Sequence, residues 1–133
     1  DVIEKEILSP GVLPDEEEVL RHFLNGCSKI RIKETSFLSK SLSYADNCLL
    51  TCAAGNKIDI LLTDDRLVRK VARNQSIGTI GTLGIILQAG KKKLIGWEEA
   101  IKLIDELVSH HHFRISVEVY RYVLEVIKEN GTP

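Results

Sequence analysis

The chain has 133 residues, 44% of them hydrophobic and 28% charged, and a net charge of −1. That length suits one domain spanning 1–133 and excludes two ordinary ones. No global positive field advertises nucleic-acid binding, so any such contact must come from a local patch. No apolar run approaches bilayer length and no basic-then-apolar leader opens the sequence, so a cytoplasmic protein with no membrane contact is expected.

Val2, Ile3, Ile7 and Leu8 give a helical pattern already under way at the first residues, ending before the turn signal Ser9-Pro10-Gly11. This opening, and the absence of any methionine, lead us to expect a truncated front end. Pro14 and Asp15 start a second helix, with acids at 15–18 suiting its positive N-terminus. Val19, Leu20, Phe23 and Leu24 form its apolar stripe, and Asn25-Gly26 ends it. Lys29 to Lys33 alternates charge with isoleucine and reads as a short half-buried strand, followed by a serine-rich loop to about Ser41.

Leu42 to Ala54 reads as a helix, with Ala45, Cys48, Leu49, Cys52 and Ala53 toward the core. Cys48 and Cys52 lie four apart without a CxxC pair, which suits reduced core thiols better than zinc ligands. Ile58–Leu62 is the most apolar short run and reads as a buried parallel strand feeding a helix faced by Leu67, Val68 and Val71. Ile77–Gly81 is another short strand, and Thr82 is placed to cap a helix over Leu83–Lys92. Of the last two helices, one is expected to bury Trp97, Ile101, Ile104 and Val108. The other, capped by Ser116, is expected to bury Val117, Tyr120, Val123, Leu124 and Ile127. His110-His111-His112 lies between them and reads as native sequence. Strands alternating with helices over 28–92 predict a three-layer α/β domain with a parallel sheet, finished by two extra helices.

In an open parallel sheet, loops after strand C-termini converge on one edge, where sites form. Asp64 and Asp65 follow the strand at 58–62, Asp46 sits in the first turns of the preceding helix, and Glu6 lies on the opening helix. Gathered carboxylates would bind a hard dication, Mg²⁺ or Mn²⁺. Each acid also has a structural reading. Ser43-Tyr44-Ala45-Asp46 is a possible capping box, and Asp64 or Asp65 can cap the next helix. An adjacent pair needs only one of its members as that cap. Arg66, Arg69, Lys70 and Arg73 share an arc of about 100°. The stripe reads either as a solvated face or as a cradle for a phosphate backbone. Gly78-Thr79-Ile80-Gly81-Thr82-Leu83-Gly84 lacks a nucleotide-loop fingerprint and reads as tight strand-to-helix packing, which weakens a nucleotide-binding alternative.

Leu42-Ser43-Tyr44-Ala45-Asp46, then a helix, a strand and Leu62-Thr63-Asp64-Asp65-Arg66, resemble the central acidic motifs of PIN-domain nucleases. Gly81-Thr82-Leu83-Gly84-Ile85 and Phe113-Arg114-Ile115-Ser116 are similar to a PIN-like branch related to VapC-type toxins. The resemblance implies one or two Mg²⁺ or Mn²⁺ ions held by about four acids, and RNA cleavage by metal-activated water. It assigns Glu6, Asp46, Asp64 and Asp65 as metal ligands and Asp46 and Asp65 as the catalytic pair. Arg66, Arg69, Lys70 and Arg73 become the RNA contacts. The family's first acid ends a first strand that nothing before Glu6 can form, so the chain is expected to lack that strand. A neighbouring chain, a swapped segment or further residues should then cover the edge of Ile58–Leu62. The expected function is a metal-dependent endoribonuclease, the toxin of a toxin–antitoxin pair, with an antitoxin partner and a homodimeric or swapped assembly. The alternative is a catalytically degenerate protein- or RNA-interaction module.

Overall fold

The computed structural model describes residues 2–8, 13–32, 36, 38–110 and 113–131, with residues 2, 3, 6 and 131 described by their backbone alone. The described elements are α1 (Val2–Ile7), α2 (Pro14–Asn25), α3 (Tyr44–Gly55), β1 (Ile60–Leu62), α4 (Arg66–Asn74), β2 (Gly78–Ile80), α5 (Thr82–Lys91), α6 (Trp97–Ser109) and α7 (Val117–Gly131). The fold is α/β, and β1 and β2 form a small parallel sheet joined through α4. Among the described residues no helix is long and apolar enough to cross a membrane.

The chain divides into two compact units. One comprises residues 1–61 and 65–79, the other 62–64 and 80–133. In the first, α3, β1 and α4 surround a core of Leu42, Leu50, Ala53, Leu61, Val68, Ala72 and Ile77. The loop entering α3 is held by one buried side chain, Asn47, which is fully shielded from solvent. Its Oδ1 accepts the backbone N–H of Leu38 at 2.9 Å and of Ser39 at 3.3 Å. Its Nδ2 donates to the carbonyls of Ser39, Leu42 and Ser43 at 3.0–3.3 Å. A buried amide satisfied on both sides in this way fixes the loop backbone without leaving a desolvated polar group. Gly78 must be glycine, because a Cβ there would stand 2.8 Å from the Asp59 carbonyl oxygen across the strand pair.

In the second unit, α5, α6 and α7 share a core of Leu83, Leu87, Ile104, Val123 and Val126, with Trp97, Phe113 and Ile115 packed against it. Gly90 of α5 lets the Trp97 ring approach so closely that a Cβ would meet three ring carbons at 2.9–3.1 Å.

The structure corrects several sequence expectations. Residues 28–32 are irregular, not a strand, and Ile30 is exposed. Lys29 instead bonds Glu4 at 2.9 Å. Alternation makes a strand only where a neighbour can accept the ladder bonds, and the described sheet offers 28–32 no such neighbour. The run 58–62 is not buried throughout. Leu61 is 5% exposed, whereas Ile60 and Leu62 are 55% and 59% exposed, as a strand covered on one face requires. In α2, Leu20 and Leu24 are half-buried while Val19 and Phe23 are exposed. In α6 the buried line runs through Ala100 and Ile104, leaving Ile101 and Val108 exposed. In α7 it runs through Val123 and Val126, and Val117, Tyr120 and Leu124 are exposed.

Candidate acidic site and basic helix

Each described acid of the expected site begins a helix. Ser43 caps α3. Its hydroxyl accepts the Asp46 N–H at 3.0 Å and donates to Asp46 Oδ2 at 2.7 Å. This is the N-cap half of the box expected from Ser43-Tyr44-Ala45-Asp46, because the Asp46 carboxylate meets the Ser43 hydroxyl and not the Ser43 backbone N–H that a full box uses. Asp65 caps α4, its Oδ1 accepting the N–H groups of Leu67 at 2.7 Å and Val68 at 2.9 Å. Both lie in the first unit.

Asp64 belongs to the second unit and serves a different helix. Thr63 N–H donates to the Ile80 carbonyl at 2.9 Å, which holds the chain leaving β1 beside the end of β2. The Asp64 carboxylate then accepts the Thr82 N–H at 3.1–3.2 Å and the Thr82 hydroxyl. This corrects the expected role of Thr82. The N-cap of α5 is Gly81, which has no side chain to offer, and the capping carboxylate comes from Asp64, 18 residues earlier. The adjacent acids therefore both cap, each on its own helix, so the argument that one of them is spare fails. Capping does not exhaust a carboxylate, whose two oxygens present about four acceptor directions.

The side chain of Glu6 lies outside the described residues. Among the described residues no three His, Cys, Asp or Glu groups gather in a way that could hold a metal ion. The donor chemistry of Asp46, Asp64 and Asp65 is nonetheless all-oxygen, which fits Mg²⁺ or Mn²⁺ rather than a softer ion. Cys48 is buried, Cys52 half-buried and Cys27 exposed.

On α4, Val68 and Ala72 are buried while Arg66, Lys70 and Arg73 are exposed and Arg69 is half-buried. The helix thus turns one apolar line inward and carries the basic stripe on its outer side. Sequence reasoning missed Asn47, although a polar residue on the apolar side of a helix, just after a serine-rich loop, was a usable signal.

No curated protein and no solved structure matches the chain. The DUF3368 family model, a PIN domain, matches residues 2–129. That span holds α1 through most of α7, with Asp46 and the Asp64-Asp65 pair inside it, and the chain belongs to the PIN-domain family.

Proposed function

We propose that residues 1–133 form a single PIN-type domain of a divalent-metal-dependent endoribonuclease. It would hydrolyse RNA phosphodiester bonds in the cytoplasm as the toxin of a toxin–antitoxin pair. The family match over residues 2–129 carries this reading. PIN domains are nuclease-type domains, commonly act on RNA and generally depend on a divalent metal.

Asp46, Asp64 and Asp65, with Glu6, are assigned as carboxylate ligands for Mg²⁺ or Mn²⁺. When bound, such ions activate water and stabilise charge on the phosphate in an in-line displacement. The chain's own contribution is positioning. Two backbone N–H groups fix the Asp65 carboxylate, and the Ser43 hydroxyl fixes that of Asp46. Arg66, Arg69, Lys70 and Arg73 would hold the RNA backbone, a contact that orients the strand without reading its sequence.

The test is cleavage of a fluorogenic single-stranded RNA with Mg²⁺ or Mn²⁺ present or chelated. Asp46→Asn and Asp65→Asn should each lower the rate by about a hundredfold or more. Removing Arg66, Lys70 and Arg73 should raise KM and flatten the salt dependence. Cleavage that survives chelation, or full activity in both Asn variants, would refute the assignment.

One observation favours a second reading, an interaction module that binds a protein such as an antitoxin, or RNA, without cutting it. Asp46, Asp64 and Asp65 each already have a structural partner, and among the described residues no three acids gather. Under that reading the folded protein binds its partner through α4 or the C-terminal helices and stays inert in either metal.

A further inference from the structure

Asp64 is held differently from Asp46 and Asp65. Ser43 reaches Asp46 from three residues before it, and the N–H groups that fix Asp65 lie two and three residues after it. Any helix start can make such contacts within its own first turn. The partner of Asp64 lies 18 residues away and offers two donors. The Thr82 N–H stands 3.1 Å from Oδ1 and 3.2 Å from Oδ2, and the Thr82 hydroxyl donates to Oδ2.

Capping α5 needs less than this. The N-cap position is Gly81, where a serine, threonine or aspartate would serve the helix start from inside the same segment. The Thr82 hydroxyl is also not among the backbone groups that a helix start leaves unpaired, so its bond to Asp64 adds nothing to the cap. What that bond fixes is the carboxylate. The corner that carries Thr82 is firm enough to do so. The Thr63 N–H donates to the Ile80 carbonyl at 2.9 Å, so residues 63 and 64 are fastened both to the end of β2 and to the start of α5. A Cβ on Gly84 would stand 2.6 Å from Cγ1 of Ile80, so the first turn of α5 packs directly on β2. Asp64 is exposed and Thr82 half-buried. An exposed carboxylate is thus anchored by a group set back in the fold, and ordering it in advance lowers what binding an ion must spend in rotamer freedom.

We infer that Thr82 is a positioning residue for the proposed metal centre, its hydroxyl and N–H holding the Asp64 carboxylate ready for the cation. This rests on the metal-dependent reading and adds to it a residue outside the acidic motifs. Loss of a group that hydrogen-bonds a ligating side chain typically weakens metal binding by about ten- to a hundredfold.

Mn²⁺ binding by the 133-residue chain, read from the loss of the free-ion electron paramagnetic resonance signal, tests this without RNA. Thr82→Val removes the hydroxyl but keeps the size and the backbone N–H, and should weaken binding about tenfold or more. Thr82→Ser keeps the hydroxyl and should bind like the wild type. Asp64→Asn keeps a carbonyl oxygen for the Thr82 donors but loses the charge, so it should lose at least as much affinity as Thr82→Val. Circular dichroism of each variant checks that the helices are intact. Asp65→Asn is the reference for the metal centre itself. A wild type that binds no Mn²⁺, or an Asp65→Asn variant that binds as the wild type does, removes the metal reading and the role of Thr82 with it. Where the wild type binds and Asp65→Asn does not, undiminished binding by Thr82→Val or Asp64→Asn would overturn the role of Thr82 alone. A Thr82→Ser variant as weak as Thr82→Val would do the same.

Discussion

The two units are held together differently. In the first, polar side chains set the backbone: Asn47 closes the loop at 38–43, Ser43 starts α3 and Asp65 starts α4. In the second, close packing dominates, with Gly90 of α5 against the Trp97 ring and Gly84 beside Ile80. Directed hydrogen bonds place individual carboxylates, whereas close packing fixes helices against one another and leaves their outer faces free to vary. The difference suggests why Asp46, Asp65 and the basic stripe of α4 belong to the first unit while the second presents apolar stripes.

The strongest way to break this contrast is Asn47→Ala. It removes five hydrogen bonds and leaves loop N–H and carbonyl groups without their partner. At about 1 kcal/mol per bond, discounted for groups that water can reach, the cost should be about 3 kcal/mol. Urea denaturation gives the magnitude. Amide hydrogen exchange should place the lost protection in the 38–61 stretch and leave α5–α7 close to wild type. Loss spread evenly over both units would show that Asn47 does not act locally.

The matching change in the second unit is Gly90→Ala. Alanine gains about 1 kcal/mol over glycine as a helix former, but its Cβ would stand 2.9 Å from a ring carbon of Trp97. Overpacking of this kind costs about 1–3 kcal/mol, so the net effect should be a loss of about 1 kcal/mol. Gly55→Ala is the control, since a Cβ there meets nothing within 4 Å. It should leave stability unchanged or raise it by up to about 1 kcal/mol. If Gly90→Ala were stabilising as well, the Trp97 contact would not constrain α5.

What the sequence revealed follows the same division. Local signals were legible: the Ser43 cap of α3, the Asp65 cap, the amphipathic α4 and the two short parallel strands. Contacts distant in sequence were not. The bond from Asp64 to Thr82 spans 18 residues, and no periodicity reports it, so Thr82 was assigned the cap that Asp64 provides. Periodicity also shows that a helix has an apolar side without showing whether a neighbour covers it. For α6 and α7 the apolar arc is wider than the buried line, and the expected core included Ile101, Val108, Val117, Tyr120 and Leu124, which are exposed. The Lys29–Lys33 alternation failed for the related reason that a strand pattern needs a partner strand. Whether Glu6, Asp46 and Asp65 converge depends on tertiary placement, which the spacing of acids along a chain does not specify.

The smallest expected effect separates the units by how each holds a surface carboxylate. Glu4, in the first, has its pKa lowered chiefly by the hydrogen bond and charge of Lys29. Glu118, in the second, has its pKa lowered by its own backbone N–H and by the Ser116 hydroxyl at the start of α7. In both cases the folded value lies below the ordinary one. Each carboxylate therefore adds stability that is fully present above the ordinary carboxylate pKa and is lost as pH falls through the lowered folded value. Glu4 is half-buried and Glu118 exposed, both contributions are small, and salt should act on them differently. At about 1 M salt the screening length is ~3 Å, comparable to the 2.9 Å Glu4–Lys29 contact, and much of the lowering of Glu4 should disappear. The lowering of Glu118 comes from short neutral donors and should persist. Carboxyl carbon chemical shifts followed through an acid titration, at low and high salt, read both groups in one experiment. If Glu118 returned to its ordinary value in salt as fully as Glu4, its hold would be ionic rather than the capping bond at the start of α7.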